Sequence, residues 1–227
     1  LLYIPGHDPK EDWKLGNFYR RKADGTWEKV RTYPDGVHMY DIAEVDGMLV
    51  AAGYTLAYST DRGATFTQAG VHTFGRVYSL LQFPGKLVGI GGIHVYSEAD
   101  FEKNRKRMKG SPDFESRIQI GGAQYDADAK AWSQVRGAAL GPAALPDGGK
   151  FKIDRAKPMP EGLCLYTFGL QHNDHQIKPL AALVAGSNLQ AAQLPLPEGE
   201  APWDTLVAPD GVAFVLAAKA PLQKGEK

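Results

Sequence analysis

Short apolar runs alternate with polar residues and turn dipeptides along most of the chain, a pattern typical of β-strands joined by tight turns. Val37–Val45 is predicted to be a strand that ends at Asp46-Gly47, a dipeptide that favours the positive φ of a two-residue hairpin. Met48–Gly53 is a nearly continuous apolar run, as expected for a strand covered on both faces. Thr55–Ser59 and Thr65–Gln68 complete a predicted four-stranded antiparallel unit within about 40 residues.

The landmarks of this unit recur at a spacing of 38 residues. The pairs that share this spacing are Gly25 and Gly63, Gly47 and Gly85, Tyr40 and Tyr78, and Tyr58 and Tyr96. The phase agrees as well, because both glycine pairs are offset from one another by 22 residues. We therefore predict a second copy whose strands are Arg76–Phe83, Lys86–Gly91 and Ile93–Ser97. Pro160–Leu163 and Pro209–Val212 are predicted to be the first hairpins of looser later copies.

Repeated four-stranded sheets cannot cover their own faces, so they are expected to stack around an axis. The pattern predicts an all-β fold, a β-propeller of four-stranded antiparallel blades with about four to five blades in this chain. Residues 1–227 are predicted to form a single propeller domain. Either the two ends of the chain pair to close the ring, or further blades of a longer chain complete it. The charged stretch Phe101–Ser116 interrupts the repeat and is predicted to be an insertion, either a short helix or an excursion at the edge of a blade.

Composition excludes several classes of function. The 227 residues carry 26 basic and 26 acidic side chains, and this zero net charge argues against a nucleic-acid partner. No apolar run approaches the roughly 20 residues that a membrane-spanning helix needs. The single cysteine, Cys164, lies in an apolar run and is predicted to be a buried strand residue. No cofactor-binding motif occurs, and we expect neither a cofactor nor a metal; His172–His175 is predicted to be a polar hairpin loop rather than a zinc site.

Ser59–Phe66 has the pattern Ser-x-Asp-x-Gly-x-x-aromatic between the predicted third and fourth strands. In this pattern Asp61 accepts hydrogen bonds within its own turn, Gly63 takes the positive φ, and Phe66 packs under the loop. The segment resembles the Asp-box of sialidase-like (BNR) β-propellers, and the first hundred or so residues look like bacterial sialidase-like propeller proteins. The resemblance implies a propeller fold. It also implies that the Asp-box residues are structural rather than catalytic. These residues are Ser59, Asp61, Gly63, Thr65 and Phe66.

The innermost strands would line a central channel, and counting back from the hairpin glycines identifies their residues. Nine positions before the glycines lie His38, Arg76, Ile153 and Pro202, and seven before lie Tyr40, Tyr78, Arg155 and Asp204. The polar members of this set are candidates for ligand binding at the channel mouth through charge-assisted hydrogen bonds: His38, Tyr40, Arg76, Tyr78, Arg155 and Asp204. The alternative is that these groups hydrate the channel and pair with one another.

The repeats are clear, but the sequence lacks the opening Arg-Ile-Pro-type motif of sialidases. We therefore expect a non-catalytic interaction or scaffold module that binds a protein or carbohydrate partner through its loops and channel mouth. The alternative is a sialidase-like glycoside hydrolase that uses Tyr40, Tyr78, Arg76, Arg155 and Asp204. Leu1–Ile4 is predicted to be a strand rather than part of a signal peptide. We expect the chain to belong to a larger, exported protein in an extracellular or periplasmic location.

Overall fold

The computed structural model describes residues 2–8, 10, 12, 14–34, 38–71, 73, 75–107, 117–135, 140–142, 145, 147–172 and 177–219. Over these ranges the protein is all-β with antiparallel sheets, in agreement with the predicted fold class at that level. One α-helix is described, α1 at Glu98–Arg107. No helix in the described part of the chain is long and apolar enough to cross a bilayer.

The first seven strands are β1 Tyr3–Gly6, β2 Leu15–Arg21, β3 Trp27–Pro34, β4 Met39–Val45, β5 Met48–Gly53, β6 Leu56–Ser59 and β7 Thr67–Gln68. The next four strands are β8 Leu80–Phe83, β9 Lys86–Val95, β10 Ile118–Asp126 and β11 Ala131–Gln134. The remaining strands are β12 Lys150–Met159, β13 Leu163–Gln171, β14 Ile177–Gly186, β15 Ala191–Gln193, β16 Glu200–Val207 and β17 Ala213–Lys219. A 3-10 turn at Pro160–Gly162 joins β12 to β13.

These strands form a series of short meanders. A three-stranded sheet, β1–β2–β3, is followed by a four-stranded sheet, β4–β5–β6–β7. The next two meanders, β8–β11 and β12–β15, each have four strands and are joined into one sheet where β9 pairs with β12. A two-stranded sheet, β16–β17, completes the series. The junction of β9 and β12 consists of two residue pairs, Lys150 with His94 and Phe151 with Ile93.

The glycine landmarks of the sequence occupy equivalent turns. Gly25 and Gly63 lie in the turns β2–β3 and β6–β7, with φ of +85° and +87°. The hairpins β4–β5, β8–β9, β12–β13 and β16–β17 each contain one positive-φ glycine: Gly47, Gly85, Gly162 and Gly211, respectively. A residue with a Cβ is disfavoured in this region of φ, so glycine sets where each hairpin can form.

Two predicted strand boundaries of the second copy are wrong. The strand predicted at Arg76–Phe83 begins only at Leu80. Ile93–Ser97 is not a separate third strand, because β9 continues from Lys86 to Val95 as one strand. The strand β10 pairs with β9 along this length, with a bulge between Gly121 and Gly122, and so takes the third position of the meander. Tyr96 therefore follows a second strand and is not the counterpart of Tyr58, which lies in a third strand. The helix α1 lies between β9 and β10, and residues 108–116 of the predicted insertion fall outside the described residues.

The hydrophobic core lies between consecutive meanders. One cluster joins the first two sheets and includes Phe18, Tyr33, Leu49, Ala51 and Ala57. A second cluster joins β4–β7 to β8–β11 and includes Val50, Leu56, Leu80, Leu87 and Ala123. The largest cluster joins β8–β11 to β12–β15 and includes Ile90, Ile93, Phe151, Tyr166 and Phe168. Cys164 belongs to the largest cluster and is fully buried in β13, as predicted. The first four meanders thus bury apolar side chains against their neighbours in the series. The sheet β16–β17 contributes to none of these clusters and exposes Leu206, Phe214 and Leu216.

Candidate functional site

The loop Ser59–Phe66 is a closed hydrogen-bonded turn between β6 and β7. The Ser59 hydroxyl donates to Asp61 Oδ1 at 2.7 Å and accepts the backbone N–H of Gly63 at 2.7 Å. Asp61 also accepts the backbone N–H of Thr65 at 2.9 Å and the Thr65 hydroxyl at 2.6 Å. These donors, those of Thr65 first, lower the pKa of Asp61 to about 2. The Asp61 side chain is thereby engaged within its own loop.

The same loop is docked on the preceding sheet. The carbonyl of Gly63 accepts the Thr32 hydroxyl of β3 at 2.6 Å, and the carbonyl of Arg62 accepts a guanidinium N–H of Arg20 at 2.9 Å. The Phe66 ring lies edge-on to Phe18, 6.0 Å between ring centroids. These two hydrogen bonds and the ring contact connect the loop to the first sheet. The loop therefore holds the second sheet against the first.

The channel candidates lie on the first strands of the meanders or just before them, and the bulges in three of these first strands lie at an equivalent position. The register of β4, β12 and β16 shifts at Tyr40, Asp154 and Trp203, respectively. Each of these residues lies five positions before the residue that closes its hairpin: Val45, Met159 and Ala208. Tyr78 lies five positions before Phe83, which closes the β8–β9 hairpin.

The glycine count therefore needs a correction in the later copies. The hairpins at Gly47 and Gly85 have two-residue loops, whereas Met159 pairs with Leu163 across a three-residue loop. The extra loop residue means that Asp154, not Arg155, is the counterpart of Tyr40 and Tyr78. Lys152 then takes the position of His38 and Arg76. The hairpin of β16 has the same three-residue loop, because the backbone N–H of Ala208 donates to the carbonyl of Val212. The counterpart of Tyr40 in β16 is therefore Trp203, and Asp204 lies one residue after it.

Four of the predicted residues come together in a cluster of aromatic rings and cations. Arg76 donates to the hydroxyl of Tyr40 at 3.1 Å and to the hydroxyl of Tyr54, and its guanidinium lies 4.1 Å from the centre of the Tyr54 ring. The Tyr40 ring is 4.5 Å from the ring of Tyr78 and 5.6 Å from that of His38, between centroids. The rings and the guanidinium hold one another in place.

Lys152 extends this cluster, although the sequence reasoning did not select it. Its side chain is 2% exposed, and its Nζ lies 4.3 Å from the centre of the Tyr78 ring. A buried ammonium over an aromatic face is a desolvated cation–π pair, which is stronger than an exposed one. Counting from the residue that closes the hairpin, rather than from the glycine, would have found Lys152. Tyr54, which follows β5, carries no such sequence signal.

The other two predicted residues, Arg155 and Asp204, form an ion pair between β12 and β16. The guanidinium of Arg155 donates to Asp204 Oδ1 at 2.6 Å, and both side chains are about half exposed. The backbone N–H of Thr205 and then Arg155 lower the pKa of Asp204. Burial instead raises the pKa of the neighbouring Asp154. Two carboxyl groups with opposite pKa shifts thus lie on adjacent strands.

Two cavities open beside these residues. The first, about 380 Å³, is lined by Tyr54, Thr73, Gly75, Arg76, Gly92, Ile93, His94, Lys150, Phe151, Lys152 and Gln171. The second, about 320 Å³, is lined by Tyr40, Asp41, Tyr78, Ser79, Asp154, Arg155, Ala156, Lys157 and Asp204. The pairs Arg76–Tyr40 and Lys152–Tyr78 connect a lining residue of the first cavity with one of the second. The first cavity is cationic, whereas the second has both signs of charge.

Hydrogen bonds tie the first strands to one another around the second cavity. Asp41 of β4 accepts the backbone N–H of Leu80 in β8 at 2.8 Å. The Ser79 hydroxyl, beside β8, donates to the carbonyl of Asp154 in β12 at 2.7 Å. Burial is the main cause that raises the pKa of Asp41. Together with the Arg155–Asp204 pair, these bonds link β4, β8, β12 and β16 in chain order.

The predicted polar loop at His172–His175 lies outside the described residues from position 173 on. The structure describes His172 as an exposed residue after β13. Among the described residues no group of three His, Cys, Asp or Glu side chains is placed to hold a metal ion.

The fold and the site define an all-β protein built of antiparallel meanders, with polar cavities beside the first strands. No family model matches the chain, and no curated protein matches it. It is similar to the extracellular domain of a hybrid two-component system from B. thetaiotaomicron, at 13% identity and a TM-score of 0.47, over 89% of this chain and 24% of that one. It is also similar to the protein YjhT, at 12% identity and a TM-score of 0.46, over 86% of this chain and 62% of YjhT. The chain thus spans less than two thirds of the length of either structure.

Proposed function

We propose that the chain is a β-propeller domain of the Asp-box type that binds a protein or carbohydrate partner without catalysis. Three meanders of four strands, flanked by one of three and one of two, would be the blades. Support comes from the core clusters between consecutive meanders and from the contacts of β4 with β8, β8 with β12 and β12 with β16. First strands that meet in chain order are what a common axis requires.

The observation that carries the proposed binding role is the cluster of rings and cations between two cavities. Tyr40, Tyr78, Arg76 and Lys152 come from three different first-strand regions and meet at one place. Ligand sites combine aromatic faces with a few oriented polar groups in cavities of about 300–1,000 Å³. We place the partner at this cluster and at the loops around it.

The absence of catalysis is proposed because the candidate groups are engaged with one another. Arg76 is held by two tyrosine hydroxyls, and Arg155 is held by Asp204. Asp61, the carboxylate of the Asp-box, accepts donors within its own loop and faces neither cavity. Such contacts organise a surface for recognition and hold the fold together. We propose an extracellular or periplasmic location, with further blades in a longer chain.

Glycan-array binding of the purified 227-residue chain tests this function, followed by titration of each positive glycan against Arg76→Met. We expect saturable binding that Arg76→Met weakens at least tenfold, because one charge-assisted hydrogen-bond donor at the cluster is lost. The matched control is Arg105→Met on α1, whose exposed guanidinium pairs with Glu102 of the same helix. Binding that Arg76→Met and the control leave equally unchanged would contradict a site at the cluster.

The second candidate is a glycoside hydrolase, and one observation favours it. Asp154, with a raised pKa, and Asp204, with a lowered pKa, line the same cavity as Tyr40 and Tyr78. A protonated and an ionised carboxyl group are the pair that glycoside hydrolysis uses. Turnover of aryl-glycosides that Asp154→Asn abolishes would establish this candidate, and no turnover on any sugar would remove it.

A further inference from the structure

Among the described strands, two four-stranded meanders share a sheet only where β9 pairs with β12, and the cationic cavity lies at this junction. Pairing of His94 with Lys150 and of Ile93 with Phe151 brings the end of β9 against the start of β12. Both residue pairs line the cavity, together with Gly92 on β9. The site therefore depends on the β9–β12 junction, and the other first strands in the described part of the chain form no such junction.

Positive charge from two chain segments converges on this cavity. Arg76 enters from the segment before β8, and Lys150 and Lys152 enter from β12. His94 of β9 also lines the cavity, but burial and the nearby Lys150 lower its pKa, so it adds no positive charge at neutral pH. No carboxylate occurs among the described residues that line it. Cations grouped around a partly enclosed space raise the local concentration of anions, because the low-dielectric walls focus the field.

Lys152 and Arg76 are pre-positioned in this group. Lys152 is almost fully buried against the Tyr78 ring, and a Cβ added at Gly75 would lie 3.7 Å from its Nζ. The loop before β8 thus approaches the ammonium closely. Arg76 is oriented by the hydroxyls of Tyr40 and Tyr54. Side chains that are already ordered lose little conformational entropy when a ligand binds.

From the junction, the converging cations and the size of the cavity, we propose that this cavity binds one oxyanion of a small acidic ligand, a carboxylated or sulfated monosaccharide. The volume of about 380 Å³ suits a ligand of that size rather than a protein segment. Arg76 and Lys152 contact the oxyanion at the inner end, and the exposed Lys150 contacts it at the rim. This inference rests on the proposed binding function and adds the chemical class of the ligand.

Calorimetric titration of the 227-residue chain tests it with glucuronate, glucose 6-sulfate, inorganic sulfate and glucose as probes. We expect glucuronate or glucose 6-sulfate to bind at least tenfold more tightly than glucose, and the tighter of the two identifies the oxyanion. Raising the salt concentration from about 20 mM to about 200 mM is expected to weaken this binding several-fold, because salt screens the attraction between the cationic side chains and the oxyanion.

Two variants and a matched control locate the site. Lys152→Met keeps most of the buried stem, and Lys150→Gln changes only an exposed rim residue, so the latter tests the proposal even if the former fails to fold. Each is expected to weaken binding of the acidic sugar at least tenfold. Lys22→Gln is the control, because Lys22 is an exposed residue between β2 and β3 and carries the same charge.

Equal affinity for glucuronate, glucose 6-sulfate and glucose would overturn the inference and leave the proposed carbohydrate-binding function standing. Inorganic sulfate that binds as tightly as both sugars would overturn the assignment to a monosaccharide. The inference would also be overturned if none of the four probes binds while the chain still binds a glycan or a purified protein partner at another place. Absence of any glycan or protein partner would instead contradict the proposed function.

Discussion

Replacement of Gly63 by alanine tests whether the Ser59–Phe66 loop fastens two sheets together. A Cβ at Gly63 would lie 2.3 Å from Cζ of Phe18, and the backbone there has a φ of +87°. Gly25 is the matched control, because it occupies the equivalent turn with a φ of +85°. The nearest atom to a Cβ at Gly25 is the flexible end of Arg21, at 3.7 Å. The two variants share the backbone strain and differ in the steric overlap.

The expected magnitudes follow from these two contributions. Gly25→Ala is expected to lower the free energy of unfolding by about 1–2 kcal/mol, the cost of a left-handed conformation for a residue with a Cβ. Gly63→Ala adds about 1–3 kcal/mol for the displacement of a packed ring. Phe18 is 0% exposed and lies in the core cluster of the first two sheets, so its ring has no free space to occupy. We expect a total of about 2–5 kcal/mol for Gly63→Ala.

Urea denaturation of both variants measures the difference, and Phe18→Leu in each background isolates its cause. We expect Phe18→Leu to cost less in the Gly63→Ala background than in the native one, because the smaller side chain relieves the overlap. Equal destabilisation by Gly25→Ala and Gly63→Ala, together with additive effects of Phe18→Leu, would refute the packing of the Ser59–Phe66 loop against Phe18.

Three further predictions use other contacts. The pKa of Asp61 is lowered to about 2 by Thr65 and other donors, so its contribution to stability is complete above pH 3.8. This contribution is expected to be lost as the pH falls towards 2, and urea midpoints should show that Asp61→Asn removes the loss. Asp41→Ala leaves the backbone N–H of Leu80 without its acceptor and is expected to cost about 1–3 kcal/mol, whereas Asp41→Asn should cost less in the same denaturation assay. Burial raises the pKa of Cys164 to about 11, so a thiol reagent should label it far more slowly in the native protein than in urea, and equal rates would contradict its burial.

The local features of the fold could be predicted because they depend on neighbouring residues. Asp46-Gly47 and the Asp61–Gly63 turn give the chain positive-φ positions wherever they occur, so hairpins follow directly from the sequence. The 38-residue spacing of these turns then indicates repeated meanders. The burial of Cys164 could be predicted in the same way, because its neighbours in the sequence are apolar.

The candidate site could be predicted only in part, because its residues are far apart in the sequence. The glycine count selected Arg76, Tyr40 and Tyr78, which do meet, since their hairpins have loops of equal length. It missed Lys152 and Asp154, because one extra loop residue shifts every position of β12. A one-residue shift moves a strand side chain to the opposite face.

The sequence by itself determined most β-strands and their turns, since these rest on φ preferences and on alternation within a few residues. The 38-residue spacing of the turns then determined the repeat. Only the tertiary structure decided that β9 continues to Val95 and pairs with the start of β12 at Lys150. That pairing joins segments more than fifty residues apart, and no local propensity encodes it. The cationic cavity exists because of this long-range contact, which depends on how the packed sheets bury their faces against one another.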